Sequence, residues 1–398
     1  MNLGKSFWSL SRRDLFKLVP PSLASWALAS PLLSKPSRSP EAASAVLGPE
    51  AKIWRADWIW EPVQVMPRGH SPGVPFFETP PFKNLFTFFR KTFDPPQGVG
   101  KAWAQISVDS RYQLYVNGQF VGRGPARFDP TWLYYDEFDL ASVLRPGKNV
   151  IAVLVHYYGE KTGQYLDGGR PGDGARPGLL FECSLDGASG GTTLVKTDAT
   201  WKFLRAPMWA QDAARISSAL GFTELYDARK EVEGWNLPEY DDAQWGEVQV
   251  ISRISGDDVP LNNPYPWDNL VPRDIPMLLE KEVVPSQVTF VGEVQNLPAG
   301  TVSMLAHQMS QETPGPLKNC TVENAQSLTS EAGSEAVIRT TPLGDADSSS
   351  AVLVLDFGRE VTGRQRLELE GMAGGIVDMG VCESLANGRV TPTRNGLH

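Results

Sequence analysis

Apolar and polar positions alternate along much of this chain with a period of two, the spacing that puts one side of a strand in a core and the other in water. Ile106 and Val108 alternate with polar neighbours, as do Tyr112, Leu114 and Val116. Asn117-Gly118 follows directly, the pair best able to take positive φ at both central positions of a type I′ turn. Phe120 and Val121 then open a return strand, and Asp109-Ser110 between the first two apolar runs predicts a bend. Residues 104–127 therefore read as a tight antiparallel meander. Further strands are predicted at Ile53–Trp60, with aromatics on alternate positions, and at Leu85–Phe93, Gly178–Cys183 and Thr197–Lys202. Asn149 to Tyr157 is almost unbroken apolar, which predicts a central strand buried on both faces, preceded by a Pro146-Gly147 turn.

Composition agrees with a chain of many short strands. The 398 residues suffice for two or three domains with cores of their own. The 37 glycines and 32 prolines suit many short strands joined by turns. A net charge of −9 argues against a nucleic-acid partner, which would call for a basic stripe. Cys183, Cys320 and Cys382 cannot all pair and show no C-x-x-C spacing, so neither a disulfide framework nor a structural zinc site is expected. Four histidines make no metal cluster, and no cofactor is expected. Residues 1–45 read as an export signal. Ser11-Arg-Arg-Asp-Leu-Phe-Lys17 resembles the twin-arginine motif with Phe and Leu exchanged. The apolar run that follows is broken by Pro20-Pro21 and is too interrupted to span a bilayer. Small-residue cleavage sites stand at Ala27-Leu-Ala29 and Ala43-Ser-Ala45. Export to the periplasm or beyond is the expectation, a disordered tail the alternative, and no membrane span is expected elsewhere.

Asp109-Ser-Arg-Tyr-Gln-Leu-Tyr-Val-Asn-Gly118 and Val121-Gly-Arg-Gly-Pro-Ala-Arg127 resemble the N-terminal β-sandwich module of bacterial α-L-rhamnosidases of glycoside hydrolase family 78. Further family-like segments occur in the same order: the Trp-rich opening, Asn84–Phe93, Leu225-Tyr-Asp-Ala-Arg229, Gly234-Trp235 and Tyr240–Trp245. Asp356-Phe-Gly, Glu360, Gly363 and Glu383–Gly388 look like the second, concanavalin-like β-domain of those enzymes. The resemblance implies an all-β chain: a jelly-roll, galactose-binding-like sandwich over residues 46–255, a linker over 256–282, and a second, incomplete concanavalin-like sandwich over 283–398. Residues 301–350 have weak periodicity and are not placed. The α/α barrel that carries the family's catalytic carboxylates has no counterpart here. The chain is thus expected to be a non-catalytic part, a fragment or shortened gene product that packs against such a barrel. It would support hydrolysis of terminal α-L-rhamnose in the complete enzyme and be inactive alone. A stand-alone extracytoplasmic carbohydrate-binding protein is the alternative.

Glycoside hydrolysis needs two opposed carboxyl groups, and 46 acidic residues select no pair. Glu224, Asp227, Glu231 and Glu233 beside Arg229 read as an ion-pair and turn network, and no Gly-x-Ser-x-Gly or His-Glu-x-x-His motif is present. Holding a sugar takes an aromatic face with planar polar groups beside it. The candidates are Trp132, Tyr134, Tyr135, Tyr157 and Tyr158, with Arg127, Asp136 and Glu160, near the Gly-rich stretch Gly159–Gly178. Each aromatic also reads as a core or rim residue, and Arg123 and Arg127 as braces of the Gly124-Pro125 turn. A structural calcium suits sandwiches of this type, but no dense acidic loop assigns it.

Overall fold

The computed structural model describes residues 54–62, 83–127, 133–159, 177–213, 221–253, 270–295, 314–330, 335–341, 349–371, 374–382, 385–386 and 389–390. The export-signal expectation for residues 1–45 lies outside them. Among the described residues the regular structure is strand with a few short 3₁₀ turns, and no helix is long and apolar enough to cross a membrane.

Thirteen strands build two sheets. They are β1 (Asp57–Trp60), β2 (Leu85–Phe93), β3 (Lys101–Asp109), β4 (Arg111–Val116), β5 (Gln119–Gly124), β6 (Leu133–Asp139), β7 (Asn149–Tyr157), β8 (Gly178–Asp186), β9 (Thr192–Lys196), β10 (Lys202–Arg205), β11 (Gly246–Glu247), β12 (Gln249–Arg253) and β13 (Leu270–Pro272). The first sheet runs β12-β1-β8-β3-β6-β13 with β9 also paired to β8; the second runs β11-β10-β2-β7-β4-β5. The chain crosses from one sheet to the other repeatedly, so neither could form alone.

The period-two alternation builds the layer between them. Ala102, Ala104, Ile106 and Val108 of β3 and Leu179, Phe181, Cys183 and Leu185 of β8 face Leu114, Val116, Ile151, Val153 and Val155 of β4 and β7. Each large apolar side chain removed from water here contributes about 1.5–3 kcal/mol before the entropy of ordering is set against it. The meander forms as expected. Its bend falls at Asp109-Ser110, and its turn at Asn117 (φ 52°) and Gly118 (φ 82°). The Asn117 side chain also ties the turn to β7, accepting the Val150 N–H at 3.0 Å and donating to Val143 O at 2.9 Å.

β7 lies between β2 and β4 and is covered on both sides, which accounts for its nearly unbroken apolar run from Val150 to Val155. On its outer side Leu154, with Phe86 and Phe88 of β2, packs under Ala206, Met208 and Trp245. The segment from Ala206 to Trp245 is thus a lid over the second sheet, and Arg90 locks it down. The Arg90 guanidinium is wholly buried; it donates to Tyr240 O and Leu237 O, both at 3.0 Å, and pairs with Asp242 at 3.0 Å.

Residues 256–282 were expected to be a linker, yet Leu270–Pro272 is the edge strand of the first sheet, parallel to β6. A three-residue strand that ends in Pro272 has no periodicity to read, so only its pairing reveals it. Beyond the sandwich, β14 (Gln287–Gln295) pairs with Ser349–Asp356 in an antiparallel ladder, and Thr321–Glu323 pairs with Val337–Arg339. The Glu293 carboxylate accepts the N–H groups of Lys318 (2.9 Å), Asn319 (2.8 Å) and Cys320 (2.9 Å), which hold it below the usual carboxylate range. Part of the unplaced 301–350 stretch is anchored to β14 in this way.

Candidate functional site

The residues singled out from the sequence separate into two places. Asp136, on β6, points between the sheets and is fully buried. Its carboxylate accepts the Tyr112 hydroxyl and the Arg273 Nε–H, one from β4 and the other from the residue after β13. Gly124 of β5 lies against it; a Cβ there would strike Asp136 Oδ2 and come within 2.9 Å of the Tyr112 ring. Burial and the Asp136 charge push the Tyr112 hydroxyl well up, so it stays a donor. Tyr135 is buried edge-on against Trp54 (5.2 Å, 89°), and Tyr157 packs in the core against Trp60 at 5.9 Å. The expectation of a sugar surface at Tyr135, Asp136 and Tyr157 is corrected on this point: none has an open face. The reason is tertiary, since the outer side of β6 is covered by the strand leading from Trp54 and its inner side by the second sheet. Arg123 does not brace the turn as expected. It pairs with Glu280 at 3.0 Å and lies 4.7 Å over Phe120. Arg127 is exposed. Trp132 and Glu160 lie outside the described residues.

Tyr158 and Tyr134 differ from these, because both are only half-buried, against the Trp54–Trp58–Leu180 cluster. Around Tyr158 four segments converge at one end of the sandwich. Asn84 donates from Nδ2 to Ala210 O (3.2 Å) and Gln211 O (3.3 Å), which leaves Oδ1 as the acceptor facing His156 Nε2 at 2.9 Å. His156 is therefore the Nε2–H tautomer. Its ring stacks on Phe86 at 3.8 Å, Phe86 stacks on Trp209 at 4.5 Å, and Tyr158 meets His156 edge-on at 4.7 Å. Ser110 Oγ accepts the Tyr158 N–H at 3.1 Å and donates to Asp109 Oδ1 at 2.7 Å. Trp209 Nε1 donates to Glu224 Oε2 at 3.1 Å. The arrangement can present the half-buried Tyr158 ring as an aromatic face at this end of the sandwich. Sequence reasoning missed Asn84, Phe86 and Trp209 as neighbours; the one signal was His156, the polar interruption of an otherwise apolar strand.

His156 supplies no acid–base chemistry at neutral pH. Desolvation, reinforced by the Arg111 charge, lowers its pKa to about 3. Between the unfolded value of about 6.5 and that folded value, the unfolded chain binds a proton that the folded chain refuses, so stability falls as pH falls. The full effect of one group is about 1.4 kcal/mol per pH unit. The stability advantage of the wild type over His156→Gln should shrink by about 1–2 kcal/mol between pH 7 and pH 5. Denaturant titrations of both proteins at the two pH values check this, and parallel pH dependences would refute it.

Among the described residues no group of three or more His, Cys, Asp and Glu side chains is placed to hold a metal ion. The acidic stretch near Arg229 is the turn network its sequence implied: Arg229 holds Asp227 at 2.7 and 2.8 Å and lowers its pKa to about 2. The buried carboxylates of Asp136, Glu182 and Glu293 are engaged by structural donors, Glu182 by the Arg55 and Ala56 N–H groups.

Residues 97–265 match the family described as the α-L-rhamnosidase N-terminal domain. An α-L-rhamnosidase of Streptomyces avermitilis is 29 % identical over 179 residues, covering 41 % of this chain and 16 % of that protein. One from Alteromonas sp. is 24 % identical over 210 residues, covering 51 % of this chain and 21 % of that protein. The crystal structure of a family 78 rhamnosidase from Bacillus sp. GL1 superposes with a TM-score of 0.50 at 37 % identity, over 63 % of this chain and 23 % of that one. The chain spans less than a quarter of the length of each of these relatives. The β-sandwich held together by Arg90 and Asp136 thus contains a segment that matches the α-L-rhamnosidase N-terminal domain, and over 63 % of its length the chain is similar to a family 78 rhamnosidase.

Proposed function

We propose that this chain is the non-catalytic N-terminal part of an exported α-L-rhamnosidase-like glycoside hydrolase and supports removal of terminal α-L-rhamnose from glycans. The observation that carries this reading is the match of residues 97–265 to the rhamnosidase N-terminal domain, joined to the engagement of the Asp136, Glu182 and Glu293 carboxylates in structural bonds. The region beyond the sandwich adds support. Leu278, Leu279, Ile376 and Val377 are exposed there, as suits residues that a neighbouring catalytic barrel would cover. The β14 ladder is assigned, in this reading, to the second, concanavalin-like domain. Export by the twin-arginine route belongs to the same proposal and rests on the Arg12-Arg13 motif.

A second reading, a carbohydrate-binding protein in its own right, is favoured by the half-buried Tyr158 ring, edge-on to His156 at one end of the sandwich. One preparation tests both. The purified chain is expected to give no turnover of an aryl α-L-rhamnoside; turnover that disappears on replacing a single carboxylate would overturn the non-catalytic assignment. Calorimetry with methyl α-L-rhamnoside is expected to show binding that Tyr158→Ala weakens, and flat traces across a broad glycan panel dismiss the second reading.

A further inference from the structure

The outer face of the seven-stranded sheet carries a feature separate from the Tyr158 end. In β3 the residues Ala102, Ala104 and Ile106 point into the core, so Lys101, Trp103 and Gln105 stand on the opposite face. Trp103 is 49 % exposed, whereas Trp58, Trp60 and Trp201 are wholly buried. It is tethered nonetheless. Its Nε1–H donates to Glu137 Oε1 at 3.2 Å, and the same oxygen accepts Gln105 Nε2 at 2.8 Å. Glu137 stands beside Gln105 in register on β6, and Ser184 stands beside Trp103 on β8, where Arg55 Nη2 reaches its hydroxyl at 3.4 Å.

An open indole held by its polar edge keeps one orientation, so little ordering entropy is lost when something stacks on it. Its surroundings decide what that is. A protein–protein contact wants a core depleted of charge, but Trp103 is ringed by Lys101, Gln105, Glu137, Asp139, Ser184 and Arg55. Charges of both signs, interspersed, select neither an anionic nor a cationic ligand. An apolar plate bordered by an amide, a carboxylate, a hydroxyl and a guanidinium fits a neutral pyranose, with C–H groups on one face and hydroxyls around the rim. The geometry points to a glycan-holding platform at Trp103, on the open face of the first sheet and distinct from the Tyr158 end. This inference rests on the reading that the chain works on glycans, and it names the surface that grips the polysaccharide rather than the terminal sugar.

Affinity electrophoresis of the full chain through gels containing the neutral polysaccharides glucomannan, galactomannan or xyloglucan tests it. Retardation is expected in at least one gel, with Trp103→Ala weakening the apparent affinity about tenfold and leaving the melting temperature unchanged. Tyr158→Ala should keep that retardation. Equal retardation of Trp103→Ala and wild type overturns the platform, as does passage of the wild type unretarded through all three gels. A change of oligomeric state on gel filtration caused by Trp103→Ala overturns it too, in favour of a protein contact. Absent retardation alongside retained calorimetric binding of methyl α-L-rhamnoside sinks the platform alone and leaves the reading of a glycan-acting chain standing.

Discussion

Replacing Arg90 by alanine should destabilise the sandwich by about 3–5 kcal/mol, the usual consequence of removing one partner of a buried ion pair. The guanidinium has no exposed surface and holds three acceptors at once: the carbonyls of Leu237 and Tyr240 and the Asp242 carboxylate. It also lies 5.2 Å over the Tyr240 ring and 5.7 Å over Trp245. Without it the Leu237 and Tyr240 carbonyls lose their donor under the lid, and desolvated acceptors are costly, while the partly exposed Asp242 keeps only Lys202 at 3.2 Å. Burial itself disfavours the charged form of Arg90, and the Asp242 charge opposes that effect. For a domain of this size the loss corresponds to a melting temperature lower by about 10 °C. Arg90→Lys keeps the charge but cannot fork to three acceptors, so it should fall between alanine and wild type. Thermal melts of the three proteins decide the matter; an alanine variant that melts with the wild type would mean the lid is held by its aromatic packing alone.

Asp136→Ala should cost a similar amount, about 3–5 kcal/mol, by a different route. The substitution strands the buried Tyr112 hydroxyl and the Arg273 guanidinium, which come from the second sheet and from the end of the first. Local opening should therefore concentrate at β13, whose following residue donates its backbone N–H to Tyr135 O at 3.0 Å. Hydrogen exchange at the Arg273 amide is expected to accelerate more in Asp136→Ala than in Arg90→Ala. Equal acceleration in both would show that β13 opens only with the whole domain. Gly124→Ala probes the same spot from β5, because the added methyl meets the Asp136 carboxylate and the Tyr112 ring.

The alternation of apolar residues, the Asn117-Gly118 turn and the unbroken run from Asn149 to Tyr157 were sufficient to determine the meander and a buried central strand. They sufficed because those signals are local: the period of a strand and the φ of a turn are properties of a few consecutive residues. The rhamnosidase likeness was legible for the same reason, as short segments in a recognisable order. Only the tertiary structure decided which aromatics are open. Tyr135 and Tyr158 look alike in sequence, but one is sealed under Trp54 and the other remains half-open beside His156. Asp136 reads as a sugar ligand until Tyr112 and Arg273 are seen to consume its oxygens. Exposure and hydrogen-bond partners depend on residues more than a hundred positions away, such as Arg273 on Asp136, and no local pattern encodes that pairing.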